Sequence, residues 1–589
     1  MLAPAARKVP NAPGLTAARP IVRDPALALI GLGVLLGLAG VLGPLLVTLW
    51  SSLREGLLTQ SGPLVLANYA AALGDPRFPE VLANTLLLGV GSVAVMLLFA
   101  LPLVWILART DFPWKGLVFT LLTVKIAIPG FLTAMAYVFL ASPRSGIVNA
   151  ALQGVLGLDA PPFDVYSLAW IAALQGLVLV PAAAFMMLAA FRGMDPALEE
   201  AAAVSGLPAH QVWLRITLPM LAPAVLATAL FFFVVAIEIF DFAGLIGLPA
   251  RIVVLSTWIY DLTHPAVGQP DYGQASALGI VLAALAALGV AGYLFVTRRA
   301  ERYVTVSGKR RQAAPLRLGR WRWAAGAFLA LYFLLAFVLP LLTLLWASLL
   351  PYLQPPSAAA LGRLSLESYG FALRFLPVPL RNTALVMAAV ATLSVALSAC
   401  VSWVVLRTRV PGRRVIDGVI FLSPAVPGII AAVAFLYLGL SAYRLLPIYG
   451  TVWLILLAMG TRTLAFSTRT ISSAAIQLHR ELEEAAQVSG VRRSAAFLRL
   501  FLPLVAPALF YAWVWIAVLS ARELTIPLML YARDNPLLST LIWNVQAGGK
   551  SDQAAALAVL LMGFLALFAL GAQLVAQRWA RGAELAVGE

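Results

Sequence analysis

Apolar runs recur along the whole chain, and most reach the roughly 20 residues that a helix needs to cross a bilayer. This constrains the fold more than any other feature. Within lipid every backbone N–H and C=O must be satisfied inside the segment, so runs of this length without alternation read as helices. Composition agrees: 62% of the 589 residues are hydrophobic and 11% are charged, far from the balance of a soluble domain. The chain reads as an all-α polytopic membrane protein with about twelve transmembrane helices. The first six are expected near 26–52, 83–108, 117–141, 167–191, 219–243 and 275–297. The second six are expected near 323–349, 381–406, 415–440, 450–471, 503–526 and 554–577.

Charge sets the orientation. Most of the 41 Lys and Arg fall in alternate loops, above all in "RRAERYVTVSGKRRQAAPLRLGRWR" (298–322), "RTRVPGRR" (407–414) and the N-terminal 25 residues. Basic residues collect on the cytoplasmic side, so both termini and the loops after even-numbered spans are placed in the cytoplasm. The formal net charge of +16 is thereby accounted for, and no basic, aromatic-interleaved module is present to bind nucleic acid. The apolar run after residue 25 is too long for a cleaved signal peptide and is read as a first span. The single cysteine, Cys400, lies in an apolar stretch and can build neither a disulfide framework nor a metal site. His210, His264 and His479 have no partners at metal-ligand spacing, so no metal and no catalytic residue is assigned.

The two halves are a repeat. Glu199 and Glu483, Gly206 and Gly490, Pro219 and Pro503, and Pro223 and Pro507 are all 284 residues apart. Upstream, "NTLLLGVGSVAVMLLFALPLVWILARTDFP" (84–113) matches "NTALVMAAVATLSVALSACVSWVVLRTRVP" (382–411) at a spacing of 298, which the "IPG" at 128–130 and "VPG" at 426–428 keep. The second half is therefore shorter after its third span. Two parallel six-span halves (26–297 and 323–577) are expected, joined by the basic linker 298–322 and flanked by tails 1–25 and 578–589.

One device in this repeat is out of character with an apolar chain. "LEEAAAVSGLP" (198–208) returns as "LEEAAQVSGVR" (482–492). In the first copy Asp195 suits an N-cap, Pro196 the first helical position, and Glu199 and Glu200 the positive end of the helix dipole. Gly206 suits a left-handed C-terminal residue and Pro208 blocks continuation. A free-standing helix of about three turns is expected, with Leu198, Ala201, Ala202 and Ser205 on one face and Leu482, Ala485, Ala486 and Ser489 on its counterpart. Small side chains on an exposed helix face let another backbone approach closely. A solvated loop explains one copy, but two copies matching at these positions while their neighbours diverged read as docking elements.

The pattern Glu-Ala-Ala, three residues, Gly, nine residues, Ile-x-Leu-Pro resembles the signature of the membrane subunits of binding-protein-dependent ABC importers. Glu200, Ala201, Ala202, Gly206, Ile216, Leu218 and Pro219 meet it in full. Glu484, Ala485, Ala486, Gly490, Leu502 and Pro503 meet it with Leu500 in place of isoleucine. The resemblance implies a type I importer (MetI-like) fold in each half, with cores over about 80–295 and 378–575, each after one extra N-terminal span. It also implies that Glu199, Glu200, Ala201, Ala202, Gly206 and Glu483, Glu484, Ala485, Ala486, Gly490 belong to coupling helices. These would sit on two copies of a cytoplasmic ATPase subunit that carries the ATP and Mg, in a bacterial inner membrane. A fused pair of permeases resembles the ferric-iron group, whose relatives move thiamine, polyamines or phosphonates. An extracytoplasmic binding protein would then deliver the substrate.

No nucleotide site is expected on this chain. "NVQAGGKSD" (544–552) contains Gly-Lys-Ser, but Asn544 stands where the phosphate loop needs glycine. No cofactor is expected either. A twelve-span secondary transporter is the competing class, yet the loop after the second span, "RTDFPWKG", lacks that class's basic glycine motif. Charges at membrane depth form the last candidate: Lys125, Glu238, Asp241, Arg522 and Glu523, each costing about 2.5–3.5 kcal/mol at the bilayer centre. They read either as structural ion pairs between the halves or near the outer interface, or with Glu238, Asp241 and Glu523 lining a translocation path for a cation.

Overall fold

A computed structural model describes residues 25–54, 63–194, 197–300, 316–423, 426–479 and 481–587. Asp195 and Pro196, the N-terminal tail and most of the linker lie outside the described residues. The described residues are helical throughout, apart from two isolated bridges, Arg54 with Leu64 and Thr110 with Leu316.

Eight helices among the described residues are long and apolar enough to cross a bilayer: Leu27–Ser52, Phe78–Arg109, Leu168–Gly193, Trp213–Glu238, Tyr272–Thr297, Trp321–Ser348, Pro377–Arg407 and Ser551–Val575. Two bent pairs raise the number to ten: Lys115–Ala127 with Gly130–Ala141, turning by 91°, and Arg493–Leu504 with Ala506–Ala521, turning by 72°. The other two expected spans are each divided, as Arg413–Phe421 and Gly428–Ser441, and as Val452–Arg462 and Leu464–Ile476. Twelve unbroken spans are therefore not what forms.

The breaks have local causes. In "IPG" the residue before Pro129 is pushed out of the α region; Ile128 takes φ −79°, ψ 126°, and the helix restarts at Gly130. Pro427 breaks the second copy in the same way, with φ −53°, ψ 141° before Gly428. Polar Thr463, at φ −88°, ψ −5°, separates the two pieces of the 450–471 span.

The halves interlock. The first span, Leu27–Ser52, lays Ile30, Val34 and Val41 against Val401, Trp403, Ile420 and Leu464 of the second half. Close approach is possible because Gly33 faces Cys400 with only 3.0 Å between a would-be Cβ and the sulfur. Reciprocally, Tyr332, Phe333 and Ala336 of the Trp321–Ser348 span pack with Leu103, Leu177 and Val180 of the first half. The Tyr137 hydroxyl donates to the Leu335 carbonyl at 2.8 Å across the same seam. Outward-facing Leu29, Leu35 and Leu46 stay exposed, as lipid-facing positions must.

The halves differ where their spacing changed. After its third span the first half carries the extra helix Ile147–Leu156. Asn149 ties it down by donating to the carbonyls of Ala141, Ser142 and Phe163 at 3.2, 3.0 and 2.8 Å.

Candidate functional site

The repeated acidic-alanine segments form the helices Ala197–Val204 and Glu481–Val488. At eight residues each they are a little over two turns, shorter than the three expected, because the left-handed residue arrives early. Gly206 and Gly490 take φ of +84° and +85°. The amides beyond them then close on the last turn: Leu207 N–H donates to Ala202 O at 3.1 Å, and Val491 N–H to Ala486 O at 2.9 Å. Glycine is suited here because the left-handed conformation costs an ordinary residue about 1–2 kcal/mol.

Glu199 and Glu483 are turned inward. Glu199 Oε2 lies 3.3 Å from Arg109 Nε, and Glu483 Oε1 lies 3.3 Å from Arg407 Nε. These arginines end the second span of each half, so a buried ion pair fastens each short helix to a long one. Arg407 also donates to the carbonyls of Ala475 and Leu478 at 2.8 and 2.9 Å, and Arg109 to Met194 at 3.3 Å. The first half adds a bond from the Thr217 hydroxyl to Glu199 at 2.6 Å. Arg109 and Arg407 were visible in the sequence only as matched letters of the upstream block, 298 residues apart.

The second glutamate of the second copy, Glu484, is exposed, as are Ala201, Ala485, Gly206 and Gly490. The side chains of Leu198 and Glu200 lie outside the described residues. Ala202 is buried within the chain, so the small face is not open along its whole length. Sequence reasoning passed over the most exposed apolar side chains of the segments: Val204 is 89% exposed and Val488 90%, at equivalent positions of the repeat.

The charges at membrane depth converge where the spans break. Glu238 ends the Trp213–Glu238 helix and receives Arg462 Nη2 at 2.8 Å on Oε1. Arg462 Nη1 lies 3.7 Å from Glu523 Oε1. Arg522 donates to the Ile126 carbonyl, one of those left free where the Lys115–Ala127 helix stops. Asp241 faces Arg522 and Glu523. Lys125 donates to the Thr133 hydroxyl at 2.9 Å. The expected trio Glu238, Asp241 and Glu523 is thus brought to one region, but held by arginines. Arg462 had escaped notice because it sits alone in an otherwise apolar run. Among the described residues no three His, Cys, Asp or Glu converge on a metal-sized site.

Two interlocked helical halves, each with a short capped helix pinned to the end of a long apolar one, define a membrane permease. The chain belongs to the family of binding-protein-dependent transport system inner membrane components, whose pattern matches residues 96–302 and again 402–581. It is 27% identical over 513 residues to the ferric transport system permease protein FbpB of Actinobacillus pleuropneumoniae, covering 84% of this chain and 72% of that one. It is 24% identical to an Fe(3+)-transport system permease protein of Haemophilus influenzae, over 83% of this chain and 88% of the relative. A putative 2-aminoethylphosphonate transport permease of Salmonella typhi is 27% identical over 30% of this chain and 61% of its own.

Proposed function

We propose that this chain is the complete translocation unit of an ATP-driven importer, moving ferric iron from an extracytoplasmic binding protein into the cytoplasm. The doubled short helix carries the reading: a chain with one such helix per half offers two docking points of the same build. Two copies of a separate ATPase subunit would seat on Glu199, Glu200, Ala201, Ala202 and Gly206, and on Glu483, Glu484, Ala485, Ala486 and Gly490. That subunit would hold ATP and Mg, and this chain would be no enzyme. Both termini would face the cytoplasm, as the basic loops indicate.

The buried pairs Arg109–Glu199 and Arg407–Glu483 give the docking helices a stiff connection to the second spans, so that closure of the ATPases is passed on as movement of the halves. Glu238, Asp241 and Glu523 would line the path and meet the cation. Iron is supported by relatives of ferric systems that match both halves, whereas the phosphonate relative matches less than a third of the chain.

The test is reconstitution of the chain with its ATPase and binding protein in lipid, followed by ATP-dependent uptake of radioactive ferric iron, with 2-aminoethylphosphonate, thiamine and spermidine as competitors. Uptake of iron alone is expected. Uptake of another member of that panel, or transport without any ATPase, overturns the reading.

A further inference from the structure

At the depth where the spans break, the two halves are not copies of each other. Arg522 occupies the repeat position of Glu238, and Arg462 that of Val178. The packing shows the same substitution: Val178 lies against Gly130 at the first break, and the Arg462 guanidinium against Gly428 at the second. A Cβ on Gly428 would stand 2.5 Å from Arg462 Nη1, so glycine there leaves room for the guanidinium.

The charges therefore pair across the seam. Both first-half carboxylates, Glu238 and Asp241, face second-half arginines, Arg462 and Arg522. Only Arg462–Glu523 lies within one half. Lys125 is occupied with Thr133 of its own half. Separation of the halves strips the arginines from Glu238 and Asp241 and leaves an acidic wall on the first half, while Arg462 keeps Glu523 on the second.

Two observations mark this as a moving contact and not a strut. Glu238 is 9% exposed, and its second oxygen, Oε2, is buried without a hydrogen-bond partner. An unpartnered buried carboxylate oxygen keeps its desolvation cost, which a static pair would be expected to relieve. Non-helical backbone at membrane depth is tolerated where it is packed in protein or lines a cavity, and broken helices meeting at one level mark a transport route in other carriers.

We propose that Arg462 is the mid-membrane gate: its guanidinium, bridging Glu238 of one half and Glu523 of the other, holds the path shut. Release from Glu238 opens the path and frees that carboxylate for a cationic cargo. The proposal rests on the importer reading and assigns to it a closing residue.

The test uses the chain with its ATPase and binding protein in lipid nanodiscs. Glu238→Cys and Arg462→Cys are introduced together in a Cys400→Ala background and treated with a bifunctional thiol reagent that spans the lost side chains. The cross-linking yield is expected to differ about tenfold between the nucleotide-free and the vanadate-trapped complex, within the range of ordinary allosteric couplings. Separately, Arg462→Gln is expected to raise binding-protein-independent ATP turnover about tenfold, while Arg469→Gln, in the half-exposed pair with Asp417, leaves it unchanged. Equal cross-linking in both states, with the ATPase still bound, overturns the gate and leaves the importer reading intact. Failure of the unmodified chain to bind any ATPase overturns the importer reading itself.

Discussion

Arg109 and Glu199 stand 3.3 Å apart at the junction of a 32-residue helix and an eight-residue one, and Arg407 and Glu483 repeat the pair at the same distance in the second half. All four side chains are largely buried, between 5% and 16% exposed. Removing one partner strands the other, which costs more than the pair contributes. Arg407→Met is expected to lower ATP-coupled transport severalfold while the protein still inserts, at a stability cost of about 3 kcal/mol for a buried pair broken on one side. Exchanging the partners, Arg407→Glu with Glu483→Arg, should recover part of the loss. Transport equal to wild type in the single variant would show that the pair does not transmit force.

The Thr217 hydroxyl makes the two junctions unequal. It donates to Glu199 at 2.6 Å, and its repeat position is Phe501. Thr217→Val should destabilise the first junction by about 1–2 kcal/mol, the value of a hydrogen bond to a charged group. Hydrogen exchange of residues 197–204 would report it, with residues 481–488 as internal reference. Equal change at both helices would rule out a local effect.

Gly206 and Gly490 have open space around them; a Cβ at either meets nothing within 4 Å. Substitution there acts through the backbone alone. Gly490→Val should cost about 1–2 kcal/mol through the left-handed φ of +85°, and Gly490→Asn distinctly less, since asparagine tolerates that region. Helix fraying measured by hydrogen exchange and ATPase co-purification should follow the same order. Equal loss with Asn and Val would mean that the partner contacts the glycine directly and that φ is not the cause.

Much of this organisation was legible in the sequence, for physical reasons that differ by element. Long apolar runs and the positions of Pro129, Pro427, Gly206 and Gly490 carry their consequences locally, so membrane class, breaks and caps could be read from neighbours alone. The inward turn of Glu199 could not, because its partner Arg109 is 90 positions upstream and nothing local distinguishes it from a solvated glutamate. Arg462 was missed for the converse reason: it lies in an apolar span, and its carboxylates sit on other helices of both halves. The spans' division into shorter pieces was hidden by hydropathy, which registers apolar content but not a bend at one proline or threonine.

Val204 and Val488 stand almost fully exposed at the ends of the two short helices. Isolated exposed valines need no explanation, but a matched pair at the tips of proposed docking helices makes contact residues of them. Val488→Asp should weaken ATPase association about tenfold or more, as expected for an apolar anchor replaced by a charge, with no change in thermal stability. Co-purification and melting measured on the same sample separate the two effects. Unchanged association would move the contact away from the helix tip.

The interlocked first spans lead to the last prediction. Ile30, Val34 and Val41 belong to the first half in sequence but to the second half's packing, beside Val401, Trp403 and Ile420. Deleting residues 1–52 should therefore loosen the second half and spare most of the first. The lost contacts are those of three well-buried aliphatic side chains, each worth about 1.5–3 kcal/mol of burial in water and less against lipid, which is itself apolar. Limited proteolysis of the truncated protein should cut earliest around residues 413–423, the piece that the first span covers. Co-expression of residues 1–300 with residues 316–589 should restore protection, since the crossing contacts do not need a continuous linker. Earliest cleavage within the first half would show that the first span packs on its own half, and would overturn the exchange.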